Sequence, residues 1–235
     1  MPLPSALEAL ALVLFPPRCA GCDRRLAERP HHGLCRACFE ILEPNLGGRC
    51  VRCDVPAREP LCMDCAASAP AFEETRAAFI YGGPLVELIL GSKFRGREDL
   101  AAAQGRLLAE DAAARALASE ADALVPVPLG GKRRRERGYN QAAIMARVLS
   151  RAWQLPVHHA LKRVRNTAPQ SDLPLADRRA NVAQAFRATG AVSGHLLLID
   201  DVMTSTETAR AAAAALKSGG ATRVTVLTLA RAILD

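Results

Sequence analysis

The 235-residue sequence predicts an α/β protein: a parallel sheet flanked by helices, preceded by a small metal-binding domain. Three observations predict it. All eight cysteines fall between Cys19 and Cys65, as four C-x-x-C pairs. Beyond them, short apolar runs alternate with alanine-rich stretches, the pattern of strands joined by helices. One such run, Leu196-Leu197-Leu198-Ile199, passes into Asp200-Asp201 and then Thr204, Ser205, Thr206 and Thr208, just as a helical pattern begins. Ligands in open α/β sheets bind beyond the carboxyl ends of strands. Loop amides and the helix dipole favour an anion there. The two carboxylates stand one step earlier, where sugar hydroxyls or a magnesium shell would be met.

The length suits one ordinary domain plus a small one. Half of the residues are hydrophobic and 4% are aromatic, with a formal charge of +7. That charge needs correcting. A four-cysteine zinc site is four thiolates and one dication, net −2, so two such sites lower the formal +7 by four, to +3. Overall basicity is therefore a weak argument for nucleic acid, and only local clusters count. Residues 1–17 form a short apolar segment that carries Glu8 and lacks a basic start. It is too short to span a bilayer and reads as a surface-docked amphipathic helix rather than a signal peptide. No other run approaches transmembrane length. The expected division is the N-terminal helix at 1–17, the cysteine domain at 18–68 and the α/β domain at 69–235.

Cysteines two apart form knuckles whose thiolates face one metal, and two knuckles complete a tetrahedron. An internal repeat suggests which knuckles pair. Arg18-Cys-Ala-Gly-Cys-Asp23 returns as Arg49-Cys-Val-Arg-Cys-Asp54, and Leu34-Cys-Arg-Ala-Cys38 returns as Leu61-Cys-Met-Asp-Cys65. This favours two sequential zinc sites, Cys19, Cys22, Cys35 and Cys38, then Cys50, Cys53, Cys62 and Cys65; a cross-braced arrangement is the rival. A disulfide framework fits poorly with a cytosolic-looking partner domain. His31 and His32 lie between knuckles and could substitute as ligands, but with four cysteines already available they read as solvated loop. Each zinc helps to fold a segment too small to fold without metal.

In the α/β domain, residues 77–81 read as a strand ending at Gly82-Gly83, followed by a short helix from Pro84 and a long alanine-rich helix over about 99–119. Residues 123–127 read as the next strand. A loop follows with five cations, Lys132, Arg133, Arg134, Arg135 and Arg137, flanked by glycines and able to wrap a polyanion. A helix is expected over about 141–152 and an edge strand at 157–160. The stretch to Phe186 has mixed polarity, with Pro169 and Pro174, and fits a flap or loop. A helix at 207–218, stopped by Gly219-Gly220, and a β-branched strand at 222–229 complete the chain.

These residues resemble a known family. Asp200-Asp201-Val202-Met203-Thr204-Ser205 is similar to the 5-phosphoribosyl-1-pyrophosphate (PRPP) loop of type I phosphoribosyltransferases, two acidic residues, an apolar pair and Thr-Thr/Ser-Gly. The cysteine segment, Pro126-Val-Pro-Leu129 with Arg137-Gly-Tyr-Asn-Gln141, the 161–170 and 178–186 stretches and Ala230-Arg231 together resemble the ComF competence family. The resemblance implies a double zinc ribbon before a type I phosphoribosyltransferase-like sheet, in the cytoplasm. It implies PRPP bound with magnesium, Asp200 and Asp201 as the catalytic pair, and Thr204, Ser205, Thr206, Thr208, Lys132, Arg133, Arg135 and Arg137 as PRPP-binding residues. Arg165, Thr167, Gln170 and Arg179 would close on substrate from the flap, and Phe94 and Tyr81 are candidates to stack on a base. The usual loop glycine is here Thr206, followed by Glu207. A β-branched residue resists positive φ, so weakened PRPP binding is expected. The implied role is in DNA uptake and natural transformation, with single-stranded DNA or competence proteins as partners. Alternatives are a non-catalytic single-strand-binding competence factor and a PRPP-sensing regulator.

Overall fold

A computed structural model describes residues 16–26, 30–164 and 185–233. The expected N-terminal helix and the candidates Arg165, Thr167, Gln170 and Arg179 lie outside the described residues. Four parallel strands make the main sheet, in the order β1 (Glu74–Ile80), β6 (Arg223–Arg231), β5 (His195–Met203) and β2 (Ala123–Pro126). The expected edge strand survives as a single parallel bridge. Val157 lies opposite Leu124, whose N–H donates to Pro156 O at 2.9 Å.

β5 explains the layering. Leu196 to Ile199 are all buried, the continuous apolar run of a parallel strand covered on both faces. Side chains alternate across a strand. Leu197 and Ile199 therefore join one apolar layer with α3 (Gly83–Phe94), α4 (Glu98–Glu110), α5 (Ala112–Ser119) and α7 (Gln141–Trp153). Leu196 and Leu198 join another with α8 (Glu207–Ser218) and an antiparallel pair, β3 (Leu161–Arg163) and β4 (Phe186–Ala188). Alanine and glycine let the helices approach closely: a Cβ on Gly105 of α4 would stand 2.9 Å from Val148 Cβ of α7.

Besides β3 and β4, which form at the ends of the stretch read as flap or loop, two elements differ from expectation. The long helix breaks at Asp111, which caps α5 by accepting from Ala114 N at 2.7 Å and takes Arg76 Nη2 at 2.8 Å. The buried Arg76 on β1 needs a carboxylate, and the helix breaks where one can cap and pair at once. The basic loop after β2 is also partly helical. α6 (Gly131–Arg137) has no buried residue and ends at Gly138, whose φ of 78° suits glycine.

The cysteine segment straddles the β1 edge. Its middle, residues 43–45, adds an antiparallel rung to β1, with Asn45 N donating to Ala78 O at 3.0 Å and Ile80 N to Glu43 O at 2.9 Å. The first ribbon carries the short helix α1 (Arg36–Glu40) and puts Cys19, Leu34 and Cys38 into the α3–α4 layer. The second carries α2 (Met63–Ala67) and puts Cys50, Cys53 and Cys65, with Phe72, into the α8 layer.

Candidate functional site

A cleft of about 270 Å³ opens at the carboxyl ends of β2 and β5, and Asp200 and Asp201 line it together with Lys93, Arg133, Arg137 and Arg163. β5, an interior strand, brings the acidic pair to the carboxyl end of the sheet. Asp201 N donates to Asp200 Oδ1 at 2.9 Å, and Lys93 Nζ lies 2.8 Å from Asp201 Oδ1. Burial, reinforced by the neighbouring Asp201, pushes the Asp200 carboxyl up to about 7, with Lys93 and Arg163 acting in the opposite direction. Asp200 is thus poised to gain or lose a proton near neutrality.

The cations come from three elements. Lys93 sits in the last turn of α3, and that turn is pinned: Gln141 Nε2 donates to Ser92 O at 2.9 Å and Gln104 Nε2 to Ser92 Oγ at 2.8 Å. Arg133 and Arg137 are four apart on α6 and share a face, so both reach the cleft. Lys132 and Arg135 lie on the exposed surface of α6 and do not line it. Arg137 donates to Gln141 Oε1 at 3.2 Å, and its guanidinium lies 5.1 Å from the Phe94 ring, which is 71% exposed at the mouth. Arg163 leans on Phe186 from the β3–β4 side, at 5.2 Å. Asn140 caps α7 and donates to Val127 O at 2.9 Å, tying the end of β2 to that helix.

Thr204 and Thr208 line the cleft where β5 hands over to α8; Ser205 and Thr206 do not. Thr206 has φ −76° and ψ −5°, ordinary right-handed geometry. The strain expected from a threonine in the glycine position is absent, because the chain never takes positive φ there. The Thr206 hydroxyl instead accepts from Arg210 Nε at 2.9 Å, and Arg210 Nη2 reaches Cys65 Sγ at 3.9 Å. The buried Arg231 donates from Nη1 towards the carbonyls of Met203 at 2.8 Å and Ala232 at 2.9 Å, and to that of Thr204. Sequence reasoning missed Lys93, Arg210 and Arg231 as parts of the site. The family-like Ala230-Arg231 pair was the only available signal, for the last of them.

The eight thiols form two groups, Cys19, Cys22, Cys35 and Cys38, and Cys50, Cys53, Cys62 and Cys65, with all sulfurs of a group within 4.8 Å of one another. Pairing is sequential, not cross-braced, and none of the eight is in a disulfide. Zinc–sulfur bonds of about 2.3 Å in a tetrahedron place sulfurs about 3.8 Å apart. Cys22 and Cys35 are separated by 3.9 Å, and Cys53 and Cys62 by 3.7 Å. Both groups fit zinc.

The family model of a double zinc ribbon domain matches residues 10–66. A DNA utilization protein, YhgH, of Salmonella typhimurium is 32% identical over 94% of this chain and 100% of its own length. The chain belongs to the ComF family. Competence protein F of Haemophilus influenzae is 29% identical over 91% of this chain and 90% of its own, and competence protein ComFC of Bacillus subtilis 28% over 86% of each. Among solved structures, glutamine PRPP amidotransferase from B. subtilis is similar over 60% of this chain and 30% of its own, with 20% identity and a TM-score of 0.38. The chain thus carries a double zinc ribbon followed by a four-stranded parallel sheet flanked by helices. No helix among the described residues is long and apolar enough to cross a membrane.

Proposed function

We propose that this ComF protein binds PRPP with magnesium in the β2–β5 cleft and acts in the handling of incoming DNA in the cytoplasm. One observation carries the reading: the Asp200–Asp201 pair faces Arg133, Arg137 and Arg163 across a cleft that ends on Thr204 and Thr208 at a helix start. The acidic pair accepts from ribose hydroxyls. Thr204, Thr208 and the first amides of α8 take the 5′-phosphate. The guanidinium groups of Arg133 and Arg137 oppose the pyrophosphate. Magnesium, when bound, would neutralise charge on the pyrophosphate, with the acidic pair supporting its water shell. In transfer, a nucleophile would attack the anomeric carbon as pyrophosphate leaves, so the chain's part is positioning and stabilising the leaving anion. The cytoplasmic assignment accords with eight unpaired thiols held for metal.

Calorimetry with magnesium and PRPP tests this directly. Wild type should bind, and Asp201→Asn should lose at least about tenfold in affinity, one power of ten per 1.4 kcal/mol. No heat at millimolar PRPP would sink the reading. Pyrophosphate release across a panel of bases and amines separates turnover from sensing.

A second reading, single-stranded DNA binding, has one observation in its favour. The exposed Phe94 stands under Arg137 beside the basic face of α6, an aromatic platform with cations next to it. Salt-dependent single-strand binding that PRPP displaces would place both ligands at the cleft mouth. Binding indifferent to PRPP would place DNA elsewhere.

A further inference from the structure

The histidines between the first two knuckles are not simply solvated. Residues 31–34 make a tight turn, with Leu34 N donating to His31 O at 2.9 Å and φ of 48° at His32 and 83° at Gly33. Histidine is among the few side chains that enter this region readily. The turn tucks Gly33 against Leu88 and Leu100 and carries the His32 ring down onto the last turn of α4. There the His32 side chain is 9% exposed and Nε2 lies 3.0 Å from Glu110 Oε1. The two make a close ion pair, yet the carboxylate lies off the line that a ring N–H donor requires, and Nε2 is left buried without a hydrogen-bonding partner of proper geometry.

An N–H donor places its acceptor along the ring-nitrogen axis. Two atoms sharing one metal behave otherwise, since each points at the ion and the other lies well off that axis. His31 completes the group. Its ring stacks edge-on to His32 at 4.2 Å, and one ligand atom from each of His31, His32 and Glu110 lies within 4.8 Å of the others. We infer that His31, His32 and Glu110 form a third divalent-metal site, of the zinc class, that ties the first ribbon to α4. Two imidazoles and one carboxylate are a zinc ligand set that leaves a fourth position for water.

The ligand charge predicts its rank. Each ribbon site offers four thiolates, whereas this one offers a single carboxylate, and Arg106 stands near enough to His32 to oppose a cation. The third ion therefore binds more weakly than the other two and leaves first. The site uses no residue of the cleft, so it stands or falls independently of PRPP binding.

The test is a metal titration of the untagged full chain, first loaded with two zinc equivalents and then dialysed against rising free zinc. Elemental analysis should show a third equivalent in wild type. In Glu110→Gln and His32→Gln it should require at least about tenfold more zinc, because even outer-shell changes cost metal sites 10–100-fold. Both variants should keep the two thiolate-bound ions, which certifies the fold; Glu110→Gln lies on an exposed helix end. Cobalt substitution gives a second readout. The third cobalt should add visible absorption without further thiolate-to-metal charge transfer. Saturation at two equivalents overturns the site. So does a third equivalent that persists unchanged in both variants, or one that adds thiolate charge transfer.

Discussion

Arg18-Cys-Ala-Gly-Cys-Asp23 and Arg49-Cys-Val-Arg-Cys-Asp54 fold almost identically. Both aspartates take left-handed backbone, at φ 56° and 58°, and each pairs with the arginine of its own repeat, at 2.6 and 2.9 Å. Their surroundings differ. The Asp23 side chain is 79% exposed and its ion pair faces water. Asp54 is 4% exposed, and its Oδ2 accepts from Ala77 N of β1 at 2.6 Å and from Asn45 Nδ2 at 2.8 Å. One motif therefore performs local bracing in the first ribbon and domain docking in the second. The second ribbon also reaches the turn between β5 and α8, behind the cleft, through Cys65, Arg210 and Thr206. Among the described residues, the first ribbon packs on α3 and α4, by Gly21, Leu34 and the turn at Gly33.

The contrast can be broken or sharpened in several ways, the largest effect first. Chelation should strip the ribbons in two phases, the first ribbon leading. The two sets match in burial at three of their four positions, but Cys22 of the first is exposed where its counterpart Cys53 is buried. A rate gap of about tenfold corresponds to 1.4 kcal/mol of local opening, and mass spectrometry of alkylated cysteines assigns each phase. A single phase would erase the distinction.

Asp54→Ala should cost about 3 kcal/mol in urea denaturation, because buried partners lose their acceptor. Asp23→Ala should cost under about 1 kcal/mol, as exposed ion pairs do. Equal costs would mean that burial of Asp54 adds nothing.

The cleft's own carboxyl gives a pH test. Asp200 titrates at about 7 when folded against 3.8 as the ordinary value. The folded state therefore holds its proton longer, so this group's contribution is greatest below pH 3.8 and declines as pH rises towards about 7. Allowing for partial exposure, the decline is on the order of 2 kcal/mol. Asp200→Asn should flatten it in thermal melts across that window. An unchanged slope would remove Asp200 as its source.

Smallest is Arg210→Ala, which should weaken PRPP binding about fivefold, the worth of about one 1 kcal/mol hydrogen bond, while both ribbon zincs stay bound. Unchanged affinity would cut the link from the second ribbon to the cleft.

Much of this is legible in the sequence. Four C-x-x-C pairs in a repeated order implied sequential thiolate sites, and the apolar run ending in Asp200-Asp201 implied a strand that delivers carboxylates to the carboxyl end of a sheet. Both follow from chain-local rules of spacing and periodicity. Less legible was the basic stretch 131–137, whose flanking glycines read as a loop but which forms α6, so that only Arg133 and Arg137 of its predicted ligands face the cleft. Thr206 misled for a related reason. A residue type signals strain only if the backbone adopts the strained conformation, and here it does not.

By itself the sequence determined the main-sheet strands, the knuckles and the place where β5 yields to a helix, because those depend on neighbours a few positions away. Tertiary structure alone decided that Lys93 meets Asp201, that Arg210 joins a ribbon thiol to Thr206 at the β5–α8 turn, and that one of two matching aspartates is buried. Each depends on packing between distant segments, which sets charge, burial and distance together and leaves no trace in local spacing.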